Sequence, residues 1–74
     1  MTPNTYRTSL DRTRATILNS VAKGATIRAK RSLQLVDRYN ELRTALRSIS
    51  PDAWLAYCAS FDACPSHDGH DLFA

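Results

Sequence analysis

Cys58, Cys64, His67 and His70 put four possible zinc ligands into one short run of the chain, spaced C-x5-C-x2-H-x2-H. Structural zinc sites usually open with two ligands two to four residues apart on a tight turn. Here the first pair is wider than that, and Cys58 shares helical spacing with Trp54 and Phe61, which makes it a small buried apolar side chain. The sequence therefore predicts no metal and no cofactor. A Cys58–Cys64 disulfide is the other use of the pair. Against it, the first residues, Met1-Thr2-Pro3-Asn4-Thr5-Tyr6-Arg7, lack the apolar core of a signal peptide, so a cytoplasmic, reducing location is expected. His67-Asp68 and His70-Asp71 have the composition of acid–base pairs. Catalysis would need them held in a pocket that excludes water, and they lie in a glycine-containing stretch that reads as a solvated tail. With no phosphate loop, nucleophile elbow or helical His-Glu-x-x-His in the sequence, no catalytic residues and no enzyme are expected.

Charge is distributed unevenly. All ten cations lie before residue 50 against Asp11, Asp37 and Glu41, so residues 1–49 carry +7, whereas Asp52, Asp62, Asp68 and Asp71 give residues 50–74 a charge of −4. Eight of the cations are arginine, the side chain suited to planar, bidentate contact with carboxylate or phosphate. A basic body with an acidic end fits either nucleic-acid contact or pairing with an oppositely charged protein surface.

The elements that must carry these residues follow from apolar spacing. At 100° per residue, Leu10, Ile17, Val21, Leu35, Tyr39, Leu42, Leu46 and Ile49 share one stripe, and there is no proline between Leu10 and Ile49. Thr8 or Ser9 is the expected cap, so residues 1–7 are read as a flexible N-terminus and 8–49 as a long basic helical region. At Gly24 two outcomes compete. A break is consistent with Lys then Gly as a helix ending and Thr26 as a new cap. A continuous or gently kinked helix is favoured, since an interior glycine costs only about 1 kcal/mol relative to alanine. Ser50-Pro51-Asp52 marks a second start, with Ser as cap, Pro at the first helical position and Asp in the first turn. A short helix over residues 50–64 is expected, followed by a polar tail over 65–74. The fold class is all-α, a helical hairpin of one long and one short helix in a single domain.

A helix over 8–49 would be roughly 60 Å long, and the short helix about 18 Å, too short to cover it. Two solutions remain, folding back at Gly24 or pairing with a second chain. Leu35, Leu42, Leu46 and Ile49 are assigned as a homodimer seam because their spacing with Tyr39 is that of paired helices. Trp54 with Phe61 is the expected core pair. Tyr39 and Tyr57 carry hydroxyls that suit a rim, beside Arg43 and Arg47, which are four residues apart on one helical face. Tyr39, Arg43, Arg47 and Tyr57, with Arg28 and Arg31 as an electrostatic contribution, form the expected partner-binding surface.

The long basic helix, the Tyr-Asn-Glu-Leu-Arg segment at 39–43 and the Ser-Pro-Asp-Ala-Trp-Leu turn resemble small accessory proteins made early by temperate phages of Pseudomonas. The similarity extends to the anti-activator type that blocks a LuxR-type quorum-sensing regulator and the pilus-assembly ATPase. It implies a dimeric, non-enzymatic inhibitor in the host cytoplasm that acts by occluding the regulator's DNA-binding domain. The competing expectation is a small basic regulator in which the segment from Arg12 to Arg31 contacts nucleic-acid phosphates.

Overall fold

The computed structural model describes residues 2–73. Helix α1 spans Pro3–Ala22, α2 spans Lys30–Ile49, α3 spans Pro51–Ala59, and a 3-10 helix closes the chain at Gly69–Phe73, with no strand among the described residues. The all-α, hairpin-type architecture expected from the apolar spacing is the one that forms.

Helix α1 begins earlier than its expected start. Pro3 occupies the first turn, and the Thr2 hydroxyl accepts a hydrogen bond from the Thr5 amide at 3.3 Å. Thr8, the expected cap, is inside the helix and donates its hydroxyl back to the Asn4 carbonyl. Residues 3–7 are therefore helical, where a flexible end was expected. Thr13, Thr16 and Ser20 make the same backward bond, which absorbs hydroxyls that would otherwise compete with the helical ladder.

The helix does not continue through Gly24. Gly24 takes φ +93°, its amide donates to the Val21 carbonyl at 2.9 Å, and the Ala25 amide donates to the Ser20 carbonyl at 2.9 Å. This is a Schellman closure, in which a glycine accepts a backbone conformation that side-chain-bearing residues avoid. Thr26 does not cap the next helix. Ala29 stands at the start of α2 with no side-chain cap, so the cations at the turn lie beside unpaired helix amides. The local preference for continuity is overruled by burial. Folding back sets Leu10 and Ile17 against Leu35, Tyr39, Leu42 and Leu46, and each such side chain removed from water contributes about 1.5–3 kcal/mol.

Ser50 then does as its sequence predicts. Its hydroxyl accepts from the Ala53 amide at 3.3 Å, with Pro51 and Asp52 in the first turn. Helix α3 stops at Ala59, short of the expected span to 64. The Ala63 amide returns to the Cys58 carbonyl at 2.9 Å while Asp62, at φ +58°, takes the left-handed position that closes the turn. Trp54, Tyr57 and Cys58 complete the core.

The expected dimer seam is correspondingly reassigned. Leu35, Leu42 and Leu46 are buried within one chain by α1 and α3, and only Ile49 is exposed. The stripe that called for a second copy is covered by the chain's own α1.

Candidate functional site

Two features stand out, a buried aromatic cluster around His67 and a groove beside it at the α2–α3 corner. His67 is 6% exposed, although the sequence reads it as part of a solvated tail. Its Nε2 lies 2.9 Å from the Tyr39 hydroxyl. The ring stacks on Trp54 with centroids 6.3 Å apart, and it meets Phe61 edge-on at 5.2 Å and Tyr39 edge-on at 5.5 Å. Two guanidiniums back the aromatic walls: that of Arg14 sits 4.1 Å from the Phe61 ring centre, and that of Arg43 sits 5.6 Å from the Trp54 ring centre.

The segment after α3 is held over this cluster. The Trp54 indole donates to the Pro65 carbonyl at 3.0 Å, and the Gly69 amide donates to Asn40 Oδ1 at 2.9 Å. Gly69 approaches α2 so closely that a Cβ there would lie 3.1 Å from the Val36 Cα. The tail is a packed part of the fold, ordered by these contacts and by Asp68 and Asp71, which cap its own turns.

The electrostatics follow from burial. Burial pushes the His67 imidazole below its usual range; Asp71 and Asp68 pull the other way, and Arg14 and Arg43 reinforce the depression. Asp71 is 3.7 Å from Nδ1 but largely solvated, so burial prevails and favours the neutral ring, in which a proton on Nδ1 makes Nε2 the acceptor for the Tyr39 hydroxyl. Burial also pushes the Tyr39 hydroxyl up to about 12. The Tyr57 hydroxyl is raised further, first by burial and then by Tyr39 and Asp11, and it closes no hydrogen bond. His67, Tyr39 and Asp71 thus have the atoms of a proton relay, but Tyr39 is fully enclosed and no substrate can reach it.

The second feature is open. Thr44, Arg47, Ser48, Pro51, Trp54, Leu55 and Pro65 line a groove of about 400 Å³ where α3 meets the end of α2. Leu55, on its wall, is 47% exposed, and Ile49 close by in sequence is 50% exposed. Arg47 makes no ion pair: among the described residues both ion pairs are His–Asp contacts within the C-terminal segment, and no lysine or arginine meets a carboxylate.

The expected partner-binding residues do not converge. Tyr57, expected at a rim, is core, and so is Tyr39, whose place on the apolar stripe suits core and partner contact equally. Arg43 is half-buried, with its Nε enclosed and unpartnered and its guanidinium against Trp54, so it supports the core and is not free for a partner. Arg47 is exposed on the groove. Arg28, in the turn before α2, and Arg31, in its first turn, are exposed, and Arg31 is about 24 Å from Arg47 along the helix. His67 and Arg14 were missed. The signal available was indirect: a tail that contains glycine and ends Leu-Phe can pack back on the body, and a buried tyrosine needs a polar partner. Cys58 is buried and Cys64 exposed, both as free thiols, and no group of three or more His, Cys, Asp or Glu among the described residues is placed to hold a metal ion.

No protein-family model, no curated protein and no solved structure matches the chain.

Proposed function

We propose that the chain is a non-enzymatic protein-binding inhibitor that docks through the α2–α3 corner. Arg47 carries this reading: it is an exposed guanidinium with no carboxylate of its own chain within 4 Å, on the wall of a groove that Pro51, Leu55, Trp54 and Pro65 line together with Thr44 and Ser48. The occupant that fits is a segment of a larger protein with an aliphatic or aromatic anchor beside a carboxylate. The anchor fills the space against Leu55 and the prolines, and the carboxylate pairs with the arginine fork. Such binding inhibits by covering the partner's own working surface. The resemblance to phage anti-activators supplies two candidate partners, the DNA-binding domain of a LuxR-type regulator and the pilus-assembly ATPase.

A second reading draws on a different observation. Lys23, Arg28, Lys30 and Arg31 crowd the α1–α2 turn without an ion pair, an arrangement suited to nucleic-acid phosphates. The two readings use opposite ends of α2 and so are separable. In titrations of the purified candidate partners, Arg47→Glu with Leu55→Ser is expected to weaken binding at least tenfold, with the helical circular dichroism intact, and Lys30→Glu with Arg31→Glu to leave it unchanged. Unchanged affinity in the Arg47 variant overturns the docking site. Binding to free duplex that falls steeply with salt and depends on Lys30 and Arg31 establishes the second reading instead.

A further inference from the structure

The segment 64–73 packs Leu72 and Phe73 against the core and runs close to α2 at Gly69, and its one buried titratable side chain is His67. Proline and glycine interrupt it, its one helical piece is the five-residue 3-10 helix, and two polar bonds join it to the helices besides the His67–Tyr39 contact: Trp54 to the Pro65 carbonyl, and the Gly69 amide to Asn40. We propose that segment 64–73 is an acid-released strap, held over Trp54 and Phe61 by neutral His67 and let go when that imidazole takes up a proton.

Each element that faces the ring bears on this. From α1 comes the Arg14 guanidinium, and from α2 come the Tyr39 hydroxyl and the Arg43 guanidinium; α3 presents the uncharged indole of Trp54, with Tyr57 directed to Tyr39. The strap itself contributes Asp71 and Asp68, both partly solvated. A second proton on the ring therefore brings a cation into an aromatic enclosure that already has a guanidinium on two sides. It also converts Nε2 from acceptor to donor, so the Tyr39 proton must turn away from the ring toward the Tyr57 oxygen. Asp71 and Asp68 are too well hydrated to offset burial, and this agrees with the depressed titration of His67.

Release has a defined consequence for the groove. Pro65 is both a groove wall and the acceptor for the Trp54 indole, so a departing strap removes one wall and frees the indole of another. As control of docking this rests on the proposed function; as strap release it does not.

The strap is tested without any partner, by amide and indole NMR of the full chain between pH 7.5 and 4.5. As the His67 ring titrates, the protection factor of the Gly69 amide should fall at least tenfold and the heteronuclear NOE of residues 66–72 should drop, while α1 and α2 keep their values. His67→Gln retains an acceptor for Tyr39 but cannot be charged, and its strap should stay ordered throughout. Asp71→Asn removes a carboxylate that favours the protonated ring, so release should move to lower pH. That variant decides the matter if His67→Gln leaves the strap loose even at pH 7.5. A strap that remains protected after His67 is protonated, or a midpoint unmoved by Asp71→Asn, overturns the inference. If the strap releases on schedule and binding of the candidate partners is indifferent to pH, the docking reading fails and the strap stands.

Discussion

The two core tyrosines look equivalent in composition and differ in what their hydroxyls meet. Tyr39 donates to a buried imidazole, whereas the Tyr57 oxygen is enclosed with no bond closed. Tyr39→Phe strands the His67 Nε2 and is expected to destabilise the fold by about 1–3 kcal/mol, and Tyr57→Phe removes an unpaired polar atom and should be neutral or stabilising. Urea unfolding of the two variants separates them; equal losses would mean that Tyr57 has a partner. Both hydroxyls ionise less readily in the folded chain, with Tyr39 at about 12 against about 10 for an unfolded tyrosine. The unfolded chain therefore sheds protons first, and stability should fall as pH rises from about 10 toward 12. Thermal melts over that range check it, and Tyr39→Phe should flatten part of the slope. At this scale the sequence was only partly legible. Apolar spacing found Leu10, Ile17, Leu35, Leu42 and Leu46, but nothing local shows which hydroxyl finds an acceptor 28 positions away. That is why the sequence alone leaves Tyr39 divided between core and contact surface, puts Tyr57 on a rim and puts His67 in solvent.

At the scale of elements, boundaries written in capping chemistry were readable and the boundary decided by tertiary burial was not. Ser50-Pro51-Asp52 works as a cap because all its bonds lie within four residues. Gly24 sets a small interior-helix penalty against the helix-ending pair Lys23-Gly24, and neither settles the outcome. The deciding contribution is the burial of Leu10 and Ile17 against α2, which appears only when both helices are present. The turn now depends on a positive φ. Gly24→Ala meets no neighbour, yet its backbone conformation penalises any side chain by about 1–2 kcal/mol, so the unfolding free energy from urea titration should fall by that amount, lowering the midpoint without change in helix content. An unaltered midpoint would mean that the chain can reverse without this conformation. Gly69 is the opposite case: a Cβ would press on the Val36 backbone at 3.1 Å and displace the segment by a few tenths of an ångström, so Gly69→Ala should loosen the strap specifically and leave α1 and α2 ordered.

The described residues span 33 × 23 × 17 Å, too short for a continuous helix of roughly 60 Å. The expected homodimer follows from an uncovered stripe on such a helix; with α1 turned back at Gly24, Leu35, Leu42 and Leu46 form the interior of one chain and only Ile49 stays exposed. Leu42 distinguishes the two arrangements. In a seam, Leu42→Glu would split a dimer into folded halves; in the core, it buries an unpaired carboxylate among Leu10, Tyr39 and Leu46, a penalty that a chain of this size cannot absorb. The expected result is therefore an 8.3 kDa species for the natural chain in sedimentation equilibrium, and loss of helical circular dichroism in Leu42→Glu with no intermediate folded monomer. Ile49→Glu, at the exposed end of the same row, should leave both measurements unchanged. Were the natural chain to sediment at twice that mass, and Leu42→Glu to yield a folded monomer, the row from Leu35 to Ile49 would be an interface after all, and α1 would have to be exchanged between copies to bury it.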